Sequence, residues 1–482
     1  MKGRELISTG IERLDEVLCG GLPARRLYLI QGDPGVGKTT LGLQFLLEGH
    51  RRGEKTLYIT LSETRDELRS VASSHGWDIS DVPLFELDSG GDVLLEDQNT
   101  LFQPSEVELA EMTRSLLAEV ERVKPVRLVF DSLSEMRLLA QSALRYRRQL
   151  LALKQHLAAR GCTVLLMDDR TSEAGDLQVQ SLAHGVIALE QLSPLYGSER
   201  RRLRVVKLRG VSFRGGYHDY RIKRGGLDIY PRLVAAEHPG QFRAETVPSG
   251  APSLDALLGD GLDRGTSALF LGPAGSGKSA LTMQFAHAAV QRGEAVRVFA
   301  FDEGLATIEA RGRALGTYVE SDLLHVRQVD PAEMSPGEFV HQVRQDVEDG
   351  NARVVIIDSL NGYLAAMPEE QFLVIQLHEL LSYLRQRGVL TIMTVAQQGL
   401  IGTMSSPVDV SYLADTVIML RFFEARGVVR KAISVLKRRS GAHATDIREL
   451  IMKPRISVGE QLSDLQGVFT GVPRFEQERE RA

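Results

Sequence analysis

Gly32-Asp33-Pro34-Gly35-Val36-Gly37-Lys38-Thr39 and Gly272-Pro273-Ala274-Gly275-Ser276-Gly277-Lys278-Ser279 both read G-x-x-x-x-G-K-[ST]. Glycine at fixed places lets the backbone N–H groups of such a loop close around phosphate oxygens. The lysine reaches the β/γ-phosphates, and the hydroxyl of Thr39 or Ser279 serves a magnesium ion. Two nucleotide sites are therefore expected, and Thr40 and Ala280, the next residue of each copy, belong to the same contact set. Each loop sits between an apolar run and a helical pattern. Leu27-Tyr28-Leu29-Ile30 and Ala268-Leu269-Phe270-Leu271 precede the loops, and Leu41, Phe45 and Leu46, or Leu281 and Phe285, follow them at helical spacing.

Outward from the loops, the spacing of 240 residues between Lys38 and Lys278 persists. Gly10, Leu14, Asp15, Leu18, Gly21 and Leu22 match Gly250, Leu254, Asp255, Leu258, Gly261 and Leu262. Downstream, Gln44-Phe45, Arg52-Gly53-Glu54 and Glu63 match Gln284-Phe285, Arg292-Gly293-Glu294 and Glu303. Such self-similarity marks a duplicated domain. The first copy is expected over residues 1–234 and the second over 245–482, joined by a linker at Ala235 to Ala244, which carries Pro239 and Gly240. The second copy should close near Pro454, with a short helix over Gln461 to Val472 and a charged tail over 474–482.

Strands alternate with helical patterns throughout, which predicts an α/β fold with a doubly wound parallel sheet in each copy. The second strand, Thr56 to Leu61 or Val296 to Phe301, runs out into Ser62-Glu63 or Asp302-Glu303. Ligands sit at this C-terminal edge of a parallel sheet, so a carboxylate here can face a γ-phosphate and polarise an attacking hydroxyl. Capping of the following helix, Thr64 to Ser74, is the competing use of Glu63. A third strand ends in Asp131-Ser132-Leu133 or Asp358-Ser359-Leu360, four apolar residues and then an acid, the pattern that supplies a magnesium-binding aspartate. Asp131 and Asp358 are 227 apart, so the first copy holds about thirteen extra residues, placed in a loop over Gly90 to Gln103. Further on, Lys207-Leu208-Arg209 and Lys437-Arg438-Arg439 bring a K-x-R out of a β-run. By pattern alone it could equally be a strand's solvent face.

With 482 residues, 43% hydrophobic and 25% charged, and a mean hydropathy of −0.11, the chain reads as a globular protein of two or more domains. The 58 basic side chains against 63 acidic ones leave a net charge of −5. That gives no general attraction to nucleic acid, which is not expected as a partner. Cys19 and Cys162 have no metal-ligand spacing, and no apolar run approaches membrane-spanning length. A cytoplasmic setting without membrane contact is expected.

Two phosphate-loop domains in tandem, each opening T/S-G-x-x-x-L-D and each carrying Asp-Ser-Leu and K-x-R, resemble the KaiC family of the RecA-like ATPases. The resemblance spans nearly the whole chain. It rests also on His75-Gly76-Trp77-Asp78, Lys207-Leu208-Arg209-Gly210, Asp330-Pro331-Ala332-Glu333-Met334-Ser335-Pro336-Gly337-Glu338 and Asp358-Ser359-Leu360-Asn361-Gly362-Tyr363. The resemblance implies two RecA-like domains, ATP and Mg²⁺ as cofactors, and a double-ring homo-hexamer with ATP between subunits. It also implies slow hydrolysis in the first copy, serine/threonine autokinase activity in the second, and regulatory or signalling proteins as partners. Lys207, Arg209, Lys437 and Arg439 would then reach a neighbour's nucleotide like arginine fingers.

The sequence departs from the clock members of that family in three places. Ser62-Glu63 stands where they carry two glutamates, so Glu63 and Glu303 are the expected catalytic carboxylates, with Asp302 assisting. Ala442 replaces an aromatic residue. The acceptor pair Ser-Thr is here Ser411-Tyr412, which leaves Ser411 as the expected phosphorylation site. A DNA-dependent motor on the same fold is the rival reading, opposed by the acidic net charge.

Overall fold

The computed structural model describes residues 5–87, 104–169, 177–194, 196–365, 370–397, 410–468 and 474–475. The loop expected over Gly90 to Gln103 lies outside them. Contacts divide the chain into two units, Met1–Arg232 and Leu233–Ala482. Each is built on a nine-stranded sheet, six strands parallel and three antiparallel at one side.

In the first unit the phosphate-loop strand Leu27–Gly32 lies between Thr163–Asp169 and Gly185–Leu192. Arg127–Asp131, Thr56–Thr60 and Leu84–Glu86 continue the parallel side. Arg200–Leu208, His218–Lys223 and Gly226–Tyr230 turn antiparallel on the other. The second unit repeats this order around Ser267–Gly272. Both sheets are covered on both faces, which is why their strands are apolar without alternation. In the first unit Tyr28, Tyr58 and Ile187 pack under the helix Lys38–Arg51, while Leu29, Ile59, Phe130 and Leu166 pack against Leu116 and Leu150 on the opposite face. Phe270, Val298 and Ile356, and Leu269, Phe299 and Ile357, do the same in the second.

Two details at the chain's joints differ from the expectation. The segment placed as a linker is docked: Ala235–Glu237 forms a 3-10 turn, Ala235 is buried, and its N–H donates to Glu379 Oε2 at 3.1 Å. The expected helix over Gln461 to Val472 is absent among the described residues. Ser457–Gln461 is instead the last strand of the sheet, and Leu465–Gln466 pairs with Arg474–Phe475. Val458 turns inward onto Leu450 and Ile456, and Gly467 at φ 76° breaks any helical run. The copy therefore closes after Pro454, at Gln461.

Candidate functional site

Each phosphate loop ends at a glycine in the left-handed region, Gly37 at φ 92° and Gly277 at φ 112°, a conformation that a Cβ would strain. The helices Lys38–Arg51 and Lys278–Gln291 follow with no side-chain cap, so their first N–H groups point into the loop, as an anion requires. Gly32 and Gly272 are glycines for space. A Cβ there would lie 2.7 Å from Leu189 O in the first copy and 2.5 Å from Leu420 O in the second.

Lys38 Nζ donates to Gly32 O (2.8 Å) and Asp33 O (3.0 Å) and pairs with Asp169 Oδ1 at 2.7 Å. Lys278 Nζ donates to Gly272 O (2.9 Å) and Pro273 O (2.8 Å). Burial lowers the pKa of Lys278, while Asp358, Asp302 and Glu303 raise it.

The strand-end acids converge on these loops. Thr39 Oγ1 lies 3.3 Å from Glu63 Oε1 and 3.3 Å from Asp131 Oδ2. Tyr58 OH donates to Asp131 Oδ2 at 2.6 Å. Burial and the neighbouring Asp131 hold Glu63 above the usual carboxylate range. Burial likewise raises Asp131, opposed by its bond from Tyr58. Glu63 Oε2 is buried without a hydrogen-bond partner. Glu63 does not cap the next helix: Thr64 does, in a reciprocal box with Glu67.

In the second copy Thr394 Oγ1, not a tyrosine, holds Asp358, at 2.5 Å from Oδ1, and Ser279 also bonds it. Asp302 accepts from Ser359 Oγ. Glu303 forms a two-point ion pair with Arg311, 2.7 and 2.6 Å, where the first copy has Val71 at the matching position.

Two groups escape a reading by pattern. The strand Thr163–Asp169 runs on into Asp168 and Asp169, beside the first phosphate loop. Asp168 binds Arg137 (2.8 Å) and Gln31 (3.1 Å), and Asp169 holds Lys38. The matching positions in the second copy are Val395 and Ala396, so repeat comparison hides them. Lys431 is the other, its Nζ donating to Gly275 O at 2.8 Å on the second loop.

Among the described residues no cluster of three or more His, Cys, Asp or Glu side chains could hold a metal unaided. A hydroxyl and one carboxylate, Thr39 with Asp131 or Ser279 with Asp358, fit a magnesium ion that takes its remaining ligands from nucleotide phosphates and water.

The K-x-R pairs lie away from their own loops. Lys207 pairs with Val186, and Arg209 N bonds His184 O, level with Leu27, the first residue of the loop strand. At about 3.3 Å per residue, Arg209 sits roughly 15 Å from its own loop along the strand. Lys207 Nζ donates to Gln180 O, and Arg209 Nη2 to Ser181 O at 2.9 Å. Lys437 and Arg439 repeat the placement beside Val417 and Asp415. Lys437 Nζ holds Ser411 O (3.1 Å) and Ala414 O (2.8 Å), and Arg439 Nη2 holds Tyr412 O (2.7 Å). Ser411 is thus gathered with this pair, at the edge opposite its own loop.

Two phosphate loops on twisted parallel sheets, each facing a strand-end acid, define a tandem RecA-like P-loop protein. A family model described as "ATPase: KaiC" matches residues 7–234 and 247–463. The chain belongs to the KaiC ATPase family, and so is a nucleotide-binding ATPase with two copies of the domain. It is 26% identical to the circadian clock oscillator protein KaiC of Parasynechococcus marenigrum, over 97% of this chain and 93% of that one. It is 26% identical to circadian clock protein KaiC3 of Synechocystis, over 98% and 95%. It is 27% identical to circadian clock oscillator protein KaiC 1 of Synechocystis, over 98% and 92%. No helix among the described residues is long and apolar enough to cross a membrane.

Proposed function

We propose that the chain is an ATP-driven switch. It closes into a homo-hexameric ring with nucleotide at the subunit interfaces, hydrolyses ATP in the first copy, phosphorylates Ser411 in the second, and passes its state to partner proteins in the cytoplasm. The observation that carries this reading is the placement of Lys207, Arg209, Lys437, Arg439 and Ser411 at the sheet edge remote from their own phosphate loops. Such groups meet phosphates only on another copy, and a head-to-tail contact of that kind closes into a ring.

In hydrolysis, Lys38 turns to the β/γ-phosphates, Glu63 accepts the proton of the attacking water, and Arg209 of a neighbour meets the charge on the leaving phosphate. Magnesium, where bound beside Thr39 and Asp131, would neutralise phosphate charge. In the second copy Ser411 Oγ bonds to the γ-phosphorus as the bond from that phosphorus to the β-bridging oxygen breaks, ADP leaves, and Glu303 takes the hydroxyl proton with Asp302 assisting. Tyr412, whose phenol oxygen lies several ångströms farther from its Cα, misses the ~3 to 3.5 Å that near-attack geometry allows.

Incubation with γ-labelled ATP, scoring free phosphate and label on the protein and then mapping phosphopeptides, tests both activities. Label on Ser411 is expected. Label on Tyr412 or Thr416 with none on Ser411 defeats the geometric argument, and no label leaves an ATPase alone.

A further inference from the structure

The two finger-bearing edges share a backbone but differ at one position, half-buried in the first copy and buried in the second, between the start of the loop strand and the finger. In the first copy it is His184, whose Nδ1 accepts from Leu27 N at 3.2 Å. In the second it is Asp415, whose Oδ2 accepts from Ser267 N (3.0 Å) and Ser267 Oγ (3.1 Å). The backbone bonds match: Arg209 N to His184 O, and Arg439 N to Asp415 O.

The electrostatic surroundings do not match. Lys154, Arg26 and Arg209 stand close enough to His184 to act on its charge, and Lys207 lies near Lys154 and Arg209. Each of these cations donates to a backbone carbonyl: Lys154 to Leu182 O, Lys207 to Gln180 O, Arg209 to Ser181 O and Arg26 to Arg209 O. None of the four has a carboxylate partner among the described residues. Burial, then Lys154, Arg26 and Arg209, push the His184 pKa down to about 4, so its ring is neutral near pH 7. In the second copy Asp415 pairs with Arg439 at 3.3 Å and with Arg385 at 2.9 Å. Its side chain is 8% exposed and anchored by Ser267, so it cannot follow an arginine that leaves. Positions 154 and 26 correspond to Leu381 and Thr266, which carry no charge.

We infer that the residue at position 184 or 415 sets how readily the neighbouring arginine leaves for the nucleotide of the next subunit: His184 lets Arg209 go, and Asp415 retains Arg439. This rests on the trans-acting reading of the K-x-R pairs proposed above. To leave, Arg209 exchanges a neutral carbonyl for a phosphate, whereas Arg439 must also give up an ion pair. An ion pair at a half-exposed arginine is worth up to about 1 kcal/mol, roughly a fivefold difference in engagement. His184 and Asp415 are positioning residues, acting through the arginine. The first copy is thereby the readier hydrolytic site and the second the more reluctant one.

Charge exchange at the position tests this in the full chain, with Lys278→Ala confining turnover to the first copy. His184→Asp is expected to lower kcat about fivefold with the nucleotide KM little changed, and His184→Asn, neutral at the same place, to retain turnover. With Lys38→Ala confining turnover to the second copy, Asp415→Asn is expected to raise it by a similar factor. Circular dichroism checks that each variant is folded, and the His184 pair decides the matter if Asp415→Asn is not. Equal losses in His184→Asp and His184→Asn would show that shape, not charge, matters and overturn the inference. Unchanged turnover in His184→Asp, while Arg209→Ala is strongly impaired, overturns it but leaves the trans-acting finger standing. Unchanged turnover in Arg209→Ala removes the finger reading and this inference with it.

Discussion

In the proposed hydrolysis Glu63 is the single base of the first copy, crowded against Asp131. Its Oε2 is buried without a partner, and Oε1 shares Thr39 with Asp131. A base must be ionised, and burial and Asp131 raise the pKa of Glu63. Hydrolysis by the first copy is therefore expected to fall with decreasing pH through a midpoint above the ~4.3 of a free glutamate. Glu63→Gln should cost about 10²-fold in phosphate release while nucleotide binding survives. A raised folded-state pKa also means that the charged form opposes folding above that pKa and ceases to below the unfolded one. Glu63→Gln should then raise the melting temperature of nucleotide-free protein at pH 7, with the gain shrinking toward acid, and calorimetry across pH reads it. The choice between base and helix cap was open in the sequence because Glu63 and Thr64 adjoin. The capping box of Thr64 with Glu67 removes the helix-cap reading and leaves Glu63 free for the proposed base.

Strand ends were legible where both copies share them and hidden where they do not. Glu63, just after Thr56–Thr60, and Asp131, the last residue of Arg127–Asp131, announce themselves as an apolar run meeting a carboxylate in each repeat. Asp168 and Asp169 have no such echo, although Asp169 lies 2.7 Å from the loop lysine. A phosphate must take Lys38 from Asp169, so Asp169→Asn should tighten ATP binding at the first copy about fivefold, an ion-pair's worth. Equilibrium titration in a Lys278→Ala background measures it, and weaker binding would mean that Asp169 orients the lysine instead. Partner exchange was equally invisible. Glu54 and Glu294 match in sequence, yet the first is met by buried Arg127 from the Arg127–Asp131 strand and the second by Arg264 ahead of the Ser267–Gly272 strand. Arg127 also donates to Ser8 O (2.7 Å) and Phe45 O (3.0 Å), so Arg127→Ala should destabilise the first unit by about 3 kcal/mol in denaturant melts.

At the scale of the whole molecule the duplication was plain from the spacing of 240 residues that holds from Gly10/Gly250 to Glu63/Glu303, and both nine-stranded sheets keep the same strand order. The chain's end was not, because Ser457-Val458-Gly459-Glu460-Gln461 is too short and too polar to declare a strand before Leu450 is seen paired beside Val458. Ring closure predicts that light scattering in saturating ATP and Mg²⁺ reports a six-chain mass, and a monomer would refute it. The separation of Arg209 from its own phosphate loop then has a statistical consequence. If a working site is half owned by each of two chains, two dead proteins can make a live one. Lys38→Ala supplies a sound Arg209 and Arg209→Ala a sound Lys38. Co-assembled in equal amounts, with Lys278→Ala in both, they should pair soundly at about a quarter of the junctions and recover about that share of wild-type turnover, although neither turns over alone.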